Sequence, residues 1–274
     1  VILLEPFYDS YPPGLALSGA LPRFLTLRFP DFHLDGDALR ALVNPRTRMI
    51  VLNTPMNPTG KVFTSEELGI IAEVCREHDL VALTDEVYEH LTFDGARHVP
   101  LASLPGMGER TLTLSSAGKT YSFTGWKIGW GVGPKHLVDG AQAARQFLTY
   151  AVPTPLQSAV AYALTHHTND YLTRFRAEYL QRRDFLVAAL REVGFRLGAP
   201  QGTYFILADF RELFQGDDRE FCYWLTREQG VAAIPPSAFY QADMEEGRRL
   251  ARFAFCKQME TLEEAAHRLR RMAS

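Results

Sequence analysis

The chain has 274 residues, room for one large domain or two small ones, and its 46% hydrophobic content can form a core without disulfides. A net charge of −3 gives no electrostatic basis for nucleic-acid binding, and no run approaches the roughly 20 apolar residues of a membrane-spanning helix. Three widely separated cysteines, Cys75, Cys222 and Cys256, form no C-x-x-C pair, which argues against a disulfide framework or a zinc site and for a reducing, cytoplasmic compartment.

The chain opens on Val1-Ile2-Leu3-Leu4, which reads as a strand. It has neither the basic flank nor the cleavage site of a signal peptide and runs into Glu5-Pro6 instead. An apolar strand with no lead-in and no initiating Met sets the expectation that an N-terminal part of a larger protein is missing.

Arg48 to Leu52 is the next short apolar run and ends at Asn53; Leu80 to Thr84 is another and ends at Asp85. Such runs fit strands buried on both faces of a largely parallel sheet. Between them lies a helix that starts on a Thr64/Glu67 capping box and carries Leu68, Ile71, Ala72 and Cys75 on one face. The three elements make a right-handed β-α-β unit. Thr111 to Leu114 is a third strand, reached from Asp85 without a long helix. Ile128 to Val132 follows too closely for a helical crossover and is expected as an antiparallel neighbour.

From about Asn169 the pattern changes. Tyr171 to Val193 reads as one long helix, followed by a strand at Thr203 to Leu207 and a helix around Glu220 to Glu228. Strands are expected at Val231 to Ile234 and Leu250 to Cys256, and a last helix on a Thr261/Glu264 box. This order fits a small α+β unit. The predicted division is 1–165, an α/β domain with a mostly parallel sheet and flanking helices, and 166–274, the small C-terminal α+β domain.

In open α/β sheets ligands bind beyond the carboxyl ends of the strands, and the polar residues gather there. Asn53-Thr54-Pro55-Met56-Asn57-Pro58-Thr59-Gly60 follows one run, Asp85-Glu86-Val87-Tyr88 the next, and Ser115-Ser116-Ala117-Gly118-Lys119 the third. A lysine after a buried strand, with Lys127 eight positions on, is the pattern of an amine held for covalent chemistry beside an anion site; it is equally that of a surface lysine after a turn. Asp85 on its own could be a helix N-cap or turn residue, Tyr88 a packing residue, and Asn57-Pro58 a turn signal. Gly118-Lys119-Thr120 is not the tail of a nucleotide-binding P-loop, because Thr113 stands where that loop needs its first glycine.

Taken together, N-x-P-x-N-P-T-G, D-E-V-Y and S-x-G-K-x-x-x-x-x-G-W-K resemble the class I/II aminotransferases of fold type I, which use pyridoxal 5′-phosphate, and the likeness runs along nearly the whole chain. The resemblance implies a role for each residue. Lys119 matches the lysine whose amine joins the cofactor and later moves a proton. Asp85 matches the carboxylate facing the pyridine nitrogen, and Tyr88 and Asn57 the donors to the ring oxygen. Ser116 and Lys127 match phosphate contacts, and Tyr8 the aromatic stacked on the ring. Arg252 matches the guanidinium that grips the substrate α-carboxylate, beside Asn57. Tyr204 and Tyr150 are weaker candidates for pocket walls, for which core packing serves as well.

The resemblance also implies a homodimer, amino acid and 2-oxo acid substrates, and a phosphate-cradling loop from a preceding segment. Glu5-Pro6-Phe7-Tyr8, Ser116-Ala117-Gly118-Lys119 and Ile234 to Tyr240 resemble two groups equally, the kynurenine aminotransferases and the actinobacterial N-succinyldiaminopimelate aminotransferases. Ala151 stands where the first group often has histidine, and Gln146 to Tyr150 looks more like the second. The same residues would serve β-elimination from cysteine conjugates, and an inactive truncated remnant is the non-catalytic alternative.

Overall fold

The computed structural model describes residues 1–167 and 169–272. Six strands form the main sheet: β1 (Ile2–Glu5), β2 (Arg23–Thr26), β3 (Met49–Asn53), β4 (Val81–Asp85), β5 (Thr111–Ser116) and β6 (Gly129–Val132). Their order is β2-β1-β3-β4-β5-β6, parallel throughout except for the antiparallel β5–β6 pair. The expected strand ends therefore lie on one edge. Asn53 pairs with Asp85 in the register, Asp85 pairs with Leu114, and Ser116 is two residues further.

Helices α1 (Tyr11–Leu17), α2 (Gly36–Ala41) and α3 (Ser65–Glu77) lie between the first strands. The Thr64/Glu67 capping box of α3 is formed in both directions. Leu68, Ile71, Ala72 and Cys75 pack with Ile50, Leu52 and Ala82 in one core, each large side chain contributing about 1.5–3 kcal/mol by leaving water. Burial pushes the Cys75 thiol up to about 12, so it behaves as a small hydrophobe.

After β5 comes the short helix α4 (Ala117–Thr120), and after β6 the helices α5 (Lys135–Leu148) and α6 (Thr154–His166). The long helix α7 (Asn169–Val193) leads into a second core, built with α8 (Asp218–Glu228) and α10 (Met259–Arg270) around a two-stranded antiparallel sheet of β7 (Phe205–Asp209) and β8 (Leu250–Ala254). The short α9 (Met244–Arg248) precedes β8. Tyr88, Leu91 and Phe93, just past β4, belong to this second core and join it to the main sheet. Among the described residues, no helix is long and apolar enough to cross a membrane.

Two expectations are corrected here. The stretch Val231 to Ile234 is not a ladder strand; only Ile234 pairs, exchanging two backbone hydrogen bonds of 3.0 Å with Arg252. Pro235 and Pro236 follow at once, offer no N–H to a sheet, and turn the chain into a 3₁₀ helix at Pro236–Phe239. The Thr261/Glu264 box does not form either. Helix α10 begins two residues before Thr261 with Gln258 at its cap and no side-chain cap bond, and Glu264 instead pairs with Arg268 at 2.6 Å.

Candidate active site

The edge where β3, β4 and β5 end is organised first by backbone capture. Asn53 donates through Nδ2 to the Asp85 carbonyl at 2.8 Å and accepts from the Asn57 N–H at 2.7 Å. This side chain thereby folds the N-T-P-M-N-P-T-G turn over the end of β4. Gly60 closes that turn at φ +73°, and a Cβ there would lie 2.3 Å from Pro200 Cβ. Its carbonyl accepts from the Gly202 N–H at 2.8 Å, so the turn is docked against the segment that enters β7.

Asp85 is turned inward at the end of β4. Its Oδ2 accepts from the Tyr11 hydroxyl at 2.7 Å and its Oδ1 from the Val87 N–H at 3.3 Å. Burial pushes its carboxyl above the usual 3.8, against the two hydrogen bonds and the positive field of Lys119. The same burial, with the Asp85 charge next, pushes the Tyr11 phenol well above 10. Tyr8 meets Tyr11 edge to face, centroids 5.6 Å apart, and is 42% exposed at the mouth of the site.

Lys119 projects from α4, which Ser116 caps by accepting from the Gly118 N–H at 3.2 Å. Its Nζ donates to the Tyr204 hydroxyl at 2.9 Å and lies 5.8 Å from the Tyr88 ring centroid. The Tyr88 and Tyr204 rings stand edge to face at 5.2 Å. Burial and then the neighbouring Tyr204 and Asp85 push the Tyr88 phenol well above 10. Arg252, central in β8, donates through Nη1 to Asn57 Oδ1 at 3.0 Å. Its guanidinium carbon lies 4.4 Å from the Phe205 ring and 4.8 Å from that of Phe239. This apolar setting lowers the arginine's pKa from its ordinary value.

Five of the predicted positions, Asn57, Asp85, Tyr88, Lys119 and Arg252, are thus linked by direct contacts or electrostatic interaction, with Tyr8 one ring away through Tyr11. Ser116 lies one turn before Lys119. Lys127 is exposed at φ +55°, and the adjoining Ile128 carbonyl accepts from the Ala117 N–H at 3.1 Å, which closes the lysine loop at its base. Tyr150 is 81% exposed, on the loop between α5 and α6. Sequence reading passed over Tyr11, Phe205 and Phe239 as site residues, and treated Tyr204 as a wall where it is the hydrogen-bond partner of Lys119. The signal for Tyr11 was its place three residues after Tyr8 in the same turn.

Asp85, half-buried with one phenol and one amide as its partners, is a carboxylate that suits a cationic ring nitrogen. Lys119, Tyr88 and Asn57 bring an amine, a phenol and an amide to the same edge. Those residues fit pyridoxal phosphate.

The chain as a whole is similar to known proteins. The family model "Aminotransferase class I and II" matches residues 1–269. A probable N-succinyldiaminopimelate aminotransferase of Mycobacterium tuberculosis is 50% identical over 98% of this chain and 70% of its own length. Human kynurenine–oxoglutarate transaminase 1 is 37% identical over 99% of the chain and 71% of its own length. The solved N-succinyldiaminopimelate aminotransferase of M. tuberculosis superposes with a TM-score of 0.95 at 49% identity, covering 99% of this chain and 71% of that one. With the family model matching residues 1–269 and a relative 50% identical over 98% of the chain, the chain belongs to the class I and II aminotransferases.

Proposed function

We propose that this protein binds pyridoxal 5′-phosphate at the edge of β3, β4 and β5 and moves an amino group from an amino acid to a 2-oxo acid. The observation that carries the reading is the meeting of Lys119, Asp85, Tyr88, Asn57 and Arg252, which the chain brings from four separate segments. The cofactor, when bound, supplies an aldehyde carbon that takes the amine and a cationic ring that accepts the electron pair released at Cα.

The chain's own residues do the rest. Asp85, already protected from water, holds the proton on the ring nitrogen. Tyr88 and Asn57 donate to the ring oxygen. Ser116 and Lys127 receive the phosphate, and Tyr8 covers the ring. Arg252 takes the α-carboxylate in its planar fork and so sets which Cα bond stands perpendicular to the ring. Lys119 would hold the cofactor through its amine and, once a substrate amine displaces it, would carry the proton to and from the substrate Cα.

We take residues 1–165 as the cofactor-binding part and 166–274 as the part that brings Arg252. Self-pairing fits the exposed apolar side chains of α5, Phe147 at 87% and Leu148 at 81%, and of α6, Tyr162 at 57%. For the donor, identity favours the N-succinylated dicarboxylic amino acid of the mycobacterial relative over kynurenine, 50% against 37–40%. The test is an assay of each amino donor with 2-oxoglutarate as acceptor, reading the glutamate formed, in parallel with Lys119→Ala. Turnover lost in Lys119→Ala supports the reading; turnover retained by that variant overturns it.

A further inference from the structure

Glu5 ends β1 and is fully buried, at 0% exposure. Its Oε2 accepts from the backbone N–H of Gln241 at 2.8 Å and of Ala242 at 3.1 Å. Its Oε1 accepts from the Asp243 N–H at 3.0 Å and the Thr26 hydroxyl at 2.7 Å. A carboxylate is tolerated out of water only when donors surround it, and here three consecutive amides of one loop do so. The side chain therefore pins that loop to the parallel sheet with charge-assisted bonds. Two residues after Glu5, the Phe7 N–H donates to the Phe239 carbonyl at 2.9 Å and ties down the start of the same loop. Phe239 is buried, and its ring is one of the two that lie against the Arg252 guanidinium.

We propose that Glu5 is a positioning residue for substrate carboxylate binding: by fixing the loop 239–243 it fixes the Phe239 ring, and through that ring the orientation of the Arg252 fork. The inference rests on the reading of Arg252 as the carboxylate-binding residue. An arginine side chain has many rotamers and loses binding strength when they are all open. A ring held still removes some of them before substrate arrives.

The test compares wild type, Glu5→Gln, Phe239→Leu and the double variant in the protein loaded with pyridoxal phosphate. Two quantities are read: the dissociation constant of 3-phenylpropionate, a carboxylate with no amine, and KM against kcat for the amino donor. Glu5→Gln is expected to raise the dissociation constant and KM about tenfold. It should leave kcat within about twofold of wild type and the cofactor's visible absorbance unchanged. The double variant is expected to be no worse than the worse single variant, because both act through one ring. Thr26→Val, which removes one donor to the same carboxylate, is expected to move both constants in the same direction by less, and it carries the test should Glu5→Gln not fold. Unchanged constants in Glu5→Gln, or in Thr26→Val should it carry the test, overturn the assignment, as do additive effects in the double variant. A fall in kcat that tracks loss of cofactor absorbance also overturns it, because that pattern belongs to a merely structural clamp. A wild-type protein that takes up no cofactor overturns the functional reading and this assignment together, whereas a wild type that turns over beside an unaltered Glu5→Gln overturns this assignment alone.

Discussion

Lys119 Nζ donates to the Tyr204 hydroxyl at 2.9 Å, joining α4 at the edge of the main sheet to the residue that precedes β7, 85 positions later. The phenol gives the amine a fixed direction and leaves it within the field of Asp85. Tyr204→Phe keeps the ring and its packing on Tyr88 but removes that bond. The expected result is a fall in kcat of about tenfold with little change in KM, read by steady-state kinetics.

Asp85 stands where its charge lowers the stability of the fold. Its carboxyl is raised by burial, so between the unfolded value near 3.8 and the raised folded value the unfolded chain binds fewer protons than the folded one. Stability of the cofactor-free protein therefore falls as pH rises through that window, and the penalty is fully present above it. Asp85→Asn removes the charge and can still accept from Tyr11. It is expected to melt higher than wild type at pH 7, on the order of 2 °C, with the advantage shrinking as pH falls toward 4. The same variant is expected to lose transamination. Melting curves across pH, without cofactor, read the first effect separately from the second.

Arg252 is a fork between aromatic rings, and a lysine cannot reproduce it. Arg252→Lys keeps the charge but loses bidentate geometry and the stacking surface for Phe205 and Phe239. We expect kcat/KM for carboxylate-bearing donors to fall about 10- to 100-fold while the cofactor's visible spectrum stays as in wild type.

Gly60 answers a backbone need. At φ +73° and with Pro200 Cβ 2.3 Å from where its own Cβ would stand, it admits no side chain. Gly60→Ala is expected to destabilise the protein by about 2 kcal/mol or more, read as a lower urea midpoint. Cofactor affinity should fall as well, because the turn carrying Asn57 is displaced.

Much of this was readable before the fold was known. Strands buried on both faces appear as short apolar runs, and the polar residue that ends each one is visible as the break, which is why Asn53, Asp85 and the Ser116–Lys119 loop stood out. The Thr64/Glu67 cap is a local rule and was formed as written. The Thr261/Glu264 pattern obeys the same rule yet fails, because the backbone of Gln258 starts the helix without a side-chain cap. Helices α5 and α6 went unrecognised although α5 is amphipathic; no residue of α5 is buried, and Val160 is the one buried residue of α6. The bonds Tyr11–Asp85 and Lys119–Tyr204 were out of reach for another reason. They join residues 74 and 85 positions apart, and only the sheet register and the docking of the second core bring them together.

The central claim is a covalent bond between the ε-amine of Lys119 and the aldehyde carbon of pyridoxal phosphate. Borohydride reduction of the loaded protein, followed by peptide mass mapping, tests it without reference to turnover. The account predicts one phosphopyridoxyl group, on the peptide that contains Lys119, and none in Lys119→Ala. A loaded protein that yields no adduct, or an adduct on Lys127 or another lysine with Lys119 unmodified, would contradict it.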